Sequence, residues 1–159
     1  MKKALITGAS SGIGREFARE LASNGYETIL VARRYDRLKD VSEELTAQFN
    51  SPSTPVQADL SQSVDLERIS GYLSGVDLLV NNAGFGLIGS FSELESEKEL
   101  EMIHLNVESL YRLSKGYVIA RKGQGGGIIN VASTAAYLPV PFMAVYAATK
   151  AFVLSFSEA

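Results

Sequence analysis

The chain has 159 residues, of which 46% are apolar and 21% charged, a composition typical of one globular domain with a buried core. Its formal net charge of -3 argues against a nucleic-acid partner, which calls for a basic face. The absence of Cys excludes disulfides and thiolate metal sites, and the single histidine, His104, leaves almost no scope for an imidazole centre, so we predict no metal site.

The apolar segments of the chain are too short for a membrane helix, which needs about 20 apolar residues. The basic start at residues 1–3 precedes only three apolar residues before Gly8, which is too short for a signal peptide. We therefore expect a cytoplasmic protein without a membrane partner.

Short apolar runs alternate with longer amphipathic stretches along the chain. In chain order they predict strand 4–6, helix 13–23, strand 28–32, helix 37–49, strand 55–58, helix 61–73, strand 76–81, helix 93–122, strand 127–132 and helix 144–158. Ser61 is the expected N-cap of the third helix. The buried stripe of the long fourth helix is predicted at Leu100, Ile103, Val107, Leu110 and Ser114.

This alternation of strands and helices is typical of a parallel sheet covered on both faces. The near-continuous apolar strands fit such burial, and right-handed crossovers restrict the topology. The sequence therefore predicts an α/β fold with a doubly wound parallel sheet in three Rossmann-type α/β/α layers, formed by residues 1–159 as a single domain.

A glycine-rich turn, T-G-A-S-S-G-I-G, occupies residues 7–14 between the first strand and the first helix. At this point an open parallel sheet binds a dinucleotide, whose phosphates accept hydrogen bonds from the helix N-terminus. The alternative is a turn without a ligand, because the spacing differs from the common G-x-G-x-x-G. The residues predicted to bind the phosphates are Gly8, Ser10, Ser11, Gly12, Ile13 and Gly14.

Two arginines, Arg33 and Arg34, end the second strand, where many dinucleotide-binding proteins carry an acidic residue for the ribose of NAD. Guanidinium groups suit a 2'-phosphate instead. The sequence favours NADP(H), with NAD(H) possible if both arginines are only solvated surface residues.

The last predicted helix carries Tyr146 and Lys150, which are four residues apart and share one face. An ammonium beside a phenol stabilises the phenolate and makes the phenol a better acid at neutral pH. A Y-x-x-x-K pattern alone also arises by chance. Here Ser133 follows the fifth strand, N-N-A-G ends the fourth at residues 81–84, and Asn106 lies on the helix between them.

Taken together, these motifs resemble the short-chain dehydrogenase/reductase family over the whole chain. The resemblance implies four catalytic residues. Tyr146 would exchange a proton with the substrate oxygen, Lys150 would assist it and hold the nicotinamide ribose, Ser133 would bind the substrate oxygen, and Asn106 would position a water through its helix backbone. It also implies further cofactor contacts at Asp59, Leu60, Asn81, Ala83 and Gly84, besides Arg33, Arg34, Tyr146 and Lys150.

The same resemblance implies a C-terminally truncated member that lacks the family's last strands, because Ala159 lies in the helix of Tyr146. The fifth strand would then be an apolar edge, and we expect a chain that associates with itself or with another chain, or that is only marginally stable. Among these, a homo-oligomer is the expected partner state. The leading interpretation is an NADP(H)-dependent oxidoreductase acting on a small carbonyl or alcohol. A cofactor-binding or interaction module without turnover is the alternative, and a sugar-nucleotide epimerase or dehydratase is a third.

Overall fold

One parallel five-stranded sheet, in the order β3-β2-β1-β4-β5, organises the chain in a computed structural model that describes residues 1–159. The strands are β1 (Lys3–Thr7), β2 (Glu27–Ala32), β3 (Ser53–Gln57), β4 (Leu78–Asn81) and β5 (Gly127–Asn130). The helices are α1 (Gly12–Ser23), α2 (Tyr35–Phe49), α3 (Ser63–Ser70), α4 (Ser96–Ile103), α5 (Leu110–Ala120) and α6 (Ala144–Glu158).

Successive side chains of β1 enter two separate cores, because strand residues alternate between the faces of a sheet. Ala4 and Ile6 pack with α1 and α2 in one cluster, while Leu5 packs with α3 and α5 in the other. Helices therefore cover both faces of the sheet, and the predicted three-layer, doubly wound α/β fold is confirmed.

The order of the strands reverses at the centre of the sheet. The chain runs outward from β1 through β2 to β3 and then returns to place β4 and β5 on the other side of β1. The carboxyl ends of β1 and β4 therefore border a crevice, which is where open parallel sheets bind ligands.

The long helical region is interrupted by a π-helical stretch, His104–Ser109, between α4 and α5. The predicted buried stripe is wrong at its start, since Leu100 is 54% and Ile103 38% exposed while Met102 is buried. A π turn contains one more residue than an α turn. Because each helical residue turns about 100°, the extra residue rotates α4 relative to α5 and changes the buried face.

The predicted N-cap at Ser61 is also wrong, because α3 begins two residues later with Gln62 in the capping position. The hydroxyl and the backbone N–H of Ser61 both donate to the Asp59 carboxylate instead. This local turn competes with the helix for Ser61, as short polar side chains commonly do.

Strand β5 lies at an edge of the sheet and pairs only with β4, as predicted. Its four residues are partly exposed, whereas most of β1 and β2 is buried. None of the helices has the length and apolar character needed to span a membrane.

Candidate active site

The glycine-rich turn leaves β1 at Gly8, whose φ of 69° lies in the left-handed region that favours glycine. Gly14 is required for a different reason: a Cβ there would collide with the backbone oxygen of Gly8 and the side-chain amide of Asn82. The start of α1 can therefore lie directly against the end of β1. No side chain caps α1, so its first N–H groups are left for a ligand.

Thr7 and Asn82 join the glycine-rich turn to the end of β4. The Thr7 hydroxyl accepts from the N–H groups of Asn82 and Ala83, at 3.0 Å each, and donates to the Val80 carbonyl. The Asn82 amide donates to the carbonyl oxygens of Thr7, at 3.0 Å, and Gly8, at 3.3 Å. These bonds fix the two sides of the crevice relative to each other.

Asn81 does not take the position expected of it. Its side chain is buried, and its amide nitrogen donates to Ser114 and to Asn130, both at 2.9 Å. The neighbouring Asn82 borders the crevice, because consecutive strand residues point to opposite faces. The structure thus places Asn82, and not the predicted Asn81, in the cavity lining, a distinction that strand alternation could have identified.

The basic end of β2 faces the glycine-rich turn. The Arg34 guanidinium donates to the hydroxyls of Ser10, at 3.1 Å, and Ser11, at 2.8 Å. Arg33 forms an ion pair with Glu101 on α4, with nitrogen and oxygen 3.1 Å apart. Three of these side chains, those of Ser10, Ser11 and Arg34, thus form a group of hydrogen-bond donors without an acidic member.

The end of β3 contributes Asp59 and Leu60 to the same crevice. The Asp59 backbone N–H donates to the Asp65 carboxylate at 2.7 Å. This bond, assisted by Arg68, lowers the pKa of Asp65 below its ordinary value. Asp65 at the start of α3 therefore fixes the backbone that presents Asp59 and Leu60.

Lys150 is buried beneath the crevice, with 7% of its surface exposed. Its ammonium donates to the Val131 carbonyl at 2.8 Å and lies 6.0 Å from the centre of the Tyr146 ring. Burial lowers the pKa of Lys150, since desolvation disfavours the charged form. Gly86 lies against the Tyr146 ring, where a Cβ would come within 2.9 Å of it.

Asn106 uses its whole side-chain amide to connect two segments. Its oxygen accepts from the Phe85 N–H at 3.1 Å, and its nitrogen donates to the Phe85 carbonyl at 2.9 Å and to Thr149 at 3.1 Å. Thr149 in turn donates to the Tyr146 carbonyl at 2.7 Å. The resemblance implied a role for the Asn106 backbone, but not this link between α6 and the loop that follows β4 at Phe85, here called the β4 loop.

Ser133 follows β5 and caps the short helical turn Thr134–Ala136 by accepting from the Ala135 N–H at 3.2 Å. Its hydroxyl hydrogen remains able to donate. The adjacent Val131 and Ala132 border the crevice, whereas Ser133 does not.

The crevice is a cavity of about 500 Å³. The predicted site residues that line it are Gly8, Ser10, Ser11, Ile13, Arg33, Arg34, Asp59, Leu60, Ala83, Gly84, Tyr146 and Lys150. Those outside its lining are Gly12, Gly14, Asn81, Asn106 and Ser133. Besides Asn82, it includes Phe85, Gly86 and Leu105, which the sequence analysis did not single out as cofactor contacts.

Comparison with known proteins identifies the family of this chain. The family model described as short chain dehydrogenase matches residues 2–159. The chain belongs to this family. It is 35% identical to the very-long-chain 3-oxoacyl-CoA reductase of Rattus norvegicus, with 98% of this chain and 52% of that protein covered. It is 33% identical to the 17-beta-hydroxysteroid dehydrogenase type 3 of Mus musculus, with 98% of this chain and 53% of that protein covered.

Solved structures of family members agree with the fold. A short-chain dehydrogenase from Sphingobium yanoikuyae in complex with NADPH superposes with a TM-score of 0.95 at 34% identity, covering 99% of this chain and 63% of that one. A bulky-bulky ketone specific alcohol dehydrogenase from Comamonas testosteroni superposes with a TM-score of 0.96 at 33% identity, covering 99% of this chain and 65% of that one. The chain spans about half the length of the curated relatives it matches.

Proposed function

We propose that residues 1–159 act as a single unit that binds NADP(H) and transfers a proton in an oxidoreductase interconverting a carbonyl and an alcohol. The observation that carries this proposal is that Tyr146 and Lys150 line the same cavity as the glycine-rich turn and Arg34. The proposed proton donor and the proposed phosphate-binding turn thus face one space, as reduction by a nicotinamide cofactor requires.

The residues of the cavity fit NADP(H). The uncapped N-terminus of α1 suits the pyrophosphate, and Arg34 with Ser10 and Ser11 suits a 2'-phosphate. NADPH in the Sphingobium yanoikuyae structure, at 34% identity, supports the choice of NADP(H). Bound NADPH would supply the hydride to the carbonyl carbon.

Tyr146 and the residues around it would carry out the proton transfer. The phenol donates it to the carbonyl oxygen, and the Lys150 ammonium favours the resulting phenolate. Ser133 lies outside the cavity lining, so its free hydroxyl hydrogen would donate to the same oxygen only if the substrate extends beyond that lining. Asn106 holds the β4 loop against α6 and so keeps Tyr146 beside the cofactor site.

The substrate is proposed to be a bulky, mainly apolar ketone or the corresponding alcohol. The names of three relatives support this class: a 3-oxoacyl-CoA reductase, a 17-beta-hydroxysteroid dehydrogenase and a bulky-bulky ketone specific alcohol dehydrogenase. Each name refers to a keto or hydroxy group on a large carbon skeleton.

Cofactor binding is tested by titrating the chain with NADPH and NADH while following the fluorescence of the nicotinamide. We expect Arg34→Ala to weaken NADPH binding by about 10- to 100-fold, because hydrogen bonds to charged groups contribute roughly 1.5–3 kcal/mol each. NADH, which lacks the 2'-phosphate, should bind Arg34→Ala as it binds the parent. Equal affinity of the parent and Arg34→Ala for NADPH would contradict the proposal.

Turnover is tested separately, with aryl and steroid ketones and NADPH as reductant. The parent chain should oxidise NADPH in the presence of at least one ketone, and Tyr146→Phe should abolish this while still binding NADPH. Consumption of NADPH that is equal in parent and Tyr146→Phe would exclude Tyr146 as the proton donor.

Binding without turnover is a second candidate function. It is favoured by Ser133, which caps a helical turn and does not line the cavity. NADPH binding by the parent, with no ketone reduced, is the result expected from this candidate.

A further inference from the structure

The two arginines at the end of β2 differ in what balances their charge. Arg34 donates to the neutral hydroxyls of Ser10 and Ser11, so its charge has no counterion. Arg33 donates to the carboxylate of Glu101, with the two side chains 59% and 39% exposed. Only one of the two guanidiniums is therefore free of an acidic partner.

The ion pair connects the end of β2, at the cavity, to α4. Arg33 lines the cavity at the end of β2, where its carbonyl accepts from the Gln57 amide at 3.0 Å. Glu101 comes from α4, and Leu105, one helical turn further on, lines the cavity as well. Glu101 thus reaches the cavity rim from the side that faces Arg33.

A 2'-phosphate held by the two arginines would meet this carboxylate. A guanidinium has five N–H donors, so Arg33 can bind a phosphate either with Glu101 still attached or after releasing it. In the first case a dianion and a carboxylate share one arginine and repel each other, and in the second the Arg33–Glu101 pair is lost. Both cases weaken binding of a 2'-phosphate and leave a 2'-hydroxyl without this penalty.

From this geometry, and resting on the proposed NADP(H) site, we infer that Glu101 is a specificity-determining residue. Its carboxylate competes with the 2'-phosphate for Arg33 and reduces the preference of the chain for NADP(H) over NAD(H). Glu101 lies on α4, about 70 residues along the chain from Arg33, so the glycine-rich turn and the β2 end alone do not set the choice of cofactor.

The experiment measures dissociation constants of NADPH and NADH for the parent, Glu101→Gln and Glu97→Gln. Glu97 provides a matched control, because it precedes Glu101 by one turn of α4, is exposed and loses the same charge. We expect Glu101→Gln to bind NADPH about two- to fivefold more tightly, the effect of one exposed ion pair, with NADH binding unchanged. Glu97→Gln should change both constants by less than this.

Two adenosine nucleotides that lack the nicotinamide test the effect of the 2'-phosphate alone. Glu101→Gln should strengthen the binding of adenosine 2',5'-bisphosphate, measured by calorimetry, and leave that of adenosine 5'-phosphate unchanged. The gain should shrink at high salt, which screens exposed charges.

Each other outcome overturns the inference in a recognisable way. If the parent binds NADPH but Glu101→Gln binds it equally or more weakly, Glu101 does not compete for Arg33, and the proposed function stands. If Glu101→Gln strengthens NADPH and NADH alike, the effect is one of overall charge. If the parent binds neither nucleotide, the proposed function fails together with the inference.

Discussion

At the scale of single residues, the site depends on side chains whose surroundings define what they can do. Lys150 is charged and buried, so folding places its ammonium where water cannot solvate it fully. Gly14 matters because it has no side chain. The Gly8 carbonyl and the Asn82 amide occupy the space that a Cβ would need. Both features lead to measurable expectations.

Burial of Lys150 should appear as a pH dependence of stability. Because its pKa in the folded chain is below the ordinary 10.5, the unfolded chain binds more protons between the two values, and stability rises with pH in that interval. The free energy of unfolding of the parent, relative to Lys150→Met, should therefore increase as the pH rises from the lowered pKa towards 10.5. Urea denaturation across this range measures it.

The matched control for Lys150 is Lys115→Met, which makes the same replacement at an exposed position of α5. Loss of the Lys150–Val131 hydrogen bond adds a constant difference in stability, whereas the desolvation effect changes with pH. A difference between parent and Lys150→Met that stays flat with pH would contradict a desolvated ammonium.

Substitution of Gly14 by alanine should destabilise the chain. The new Cβ would overlap the Gly8 carbonyl oxygen, so the start of α1 would have to move away from β1. We expect a loss of about 1–3 kcal/mol in the free energy of unfolding, the usual cost of overpacking, together with weaker NADPH binding. Gly75→Ala is the control because its Cβ would meet nothing within 4 Å.

At the scale of elements, the junction of the β4 loop, the π-helical stretch and α6 depends on Asn106 and Thr149. Thr149 is buried, accepts from the Asn106 amide and donates to the Tyr146 carbonyl. The Thr149 hydroxyl therefore links α6, which carries Tyr146, to Asn106 in the π-helical stretch. Substitution of Thr149 by valine removes this hydroxyl with little change in side-chain volume.

Thr149→Val should leave one of the two Asn106 amide hydrogens without an acceptor in a buried position, while the other still donates to the Phe85 carbonyl. Such an unsatisfied group costs about 1–3 kcal/mol, which urea denaturation should detect. Thr149→Ser keeps the hydroxyl and should recover most of the loss, although it removes a methyl group. A serine variant as unstable as the valine variant would show that packing, and not the hydrogen bond, holds this junction.

Sequence patterns predicted the elements well where hydrophobic periodicity was regular. The five strands and the order of the helices follow from apolar runs, and the glycine-rich turn follows from its position after β1. The buried face of α4 was mispredicted because the π turn changes the period inside an otherwise helical pattern. Asn106 hydrogen bonds connect residues over 20 positions apart, and no local spacing encodes them.

The site was predictable to the extent that it follows motifs. The shared face of Tyr146 and Lys150 follows from helix geometry. The N-N-A-G motif includes both Asn81 and Asn82, and only the alternation of side chains along β4 separates the two. The Arg33–Glu101 pair depends on where α4 lies relative to the end of β2, which charge patterning does not reveal.

At the largest scale, one side of β5 pairs with no other strand of residues 1–159. The N–H groups of Gly127 and Val131 donate to the carbonyls of Asp77 and Asn81, so by alternation the N–H groups of Ile128 and Asn130 point to the open side. An edge that presents apolar side chains and free N–H groups favours pairing with another chain.

Self-association is therefore expected to increase with concentration in sedimentation velocity runs. Hydrogen exchange should show a fast Ile128 amide in dilute samples, and this amide should become protected as the larger species forms, while the Ile129 amide stays protected throughout. A monomer at every concentration, with unchanged exchange at Ile128, would show that the edge does not pair.

The Thr7 hydroxyl, which accepts two backbone N–H groups from the end of β4, has a thermodynamic consequence for ligand capture. Since hydrogen bonds within the chain already hold the residues between β1 and β4 in place, a nucleotide should not have to order them when it binds. Association should be rapid and leave amide exchange in these residues nearly unchanged, with the adjustment confined to long side chains at the rim.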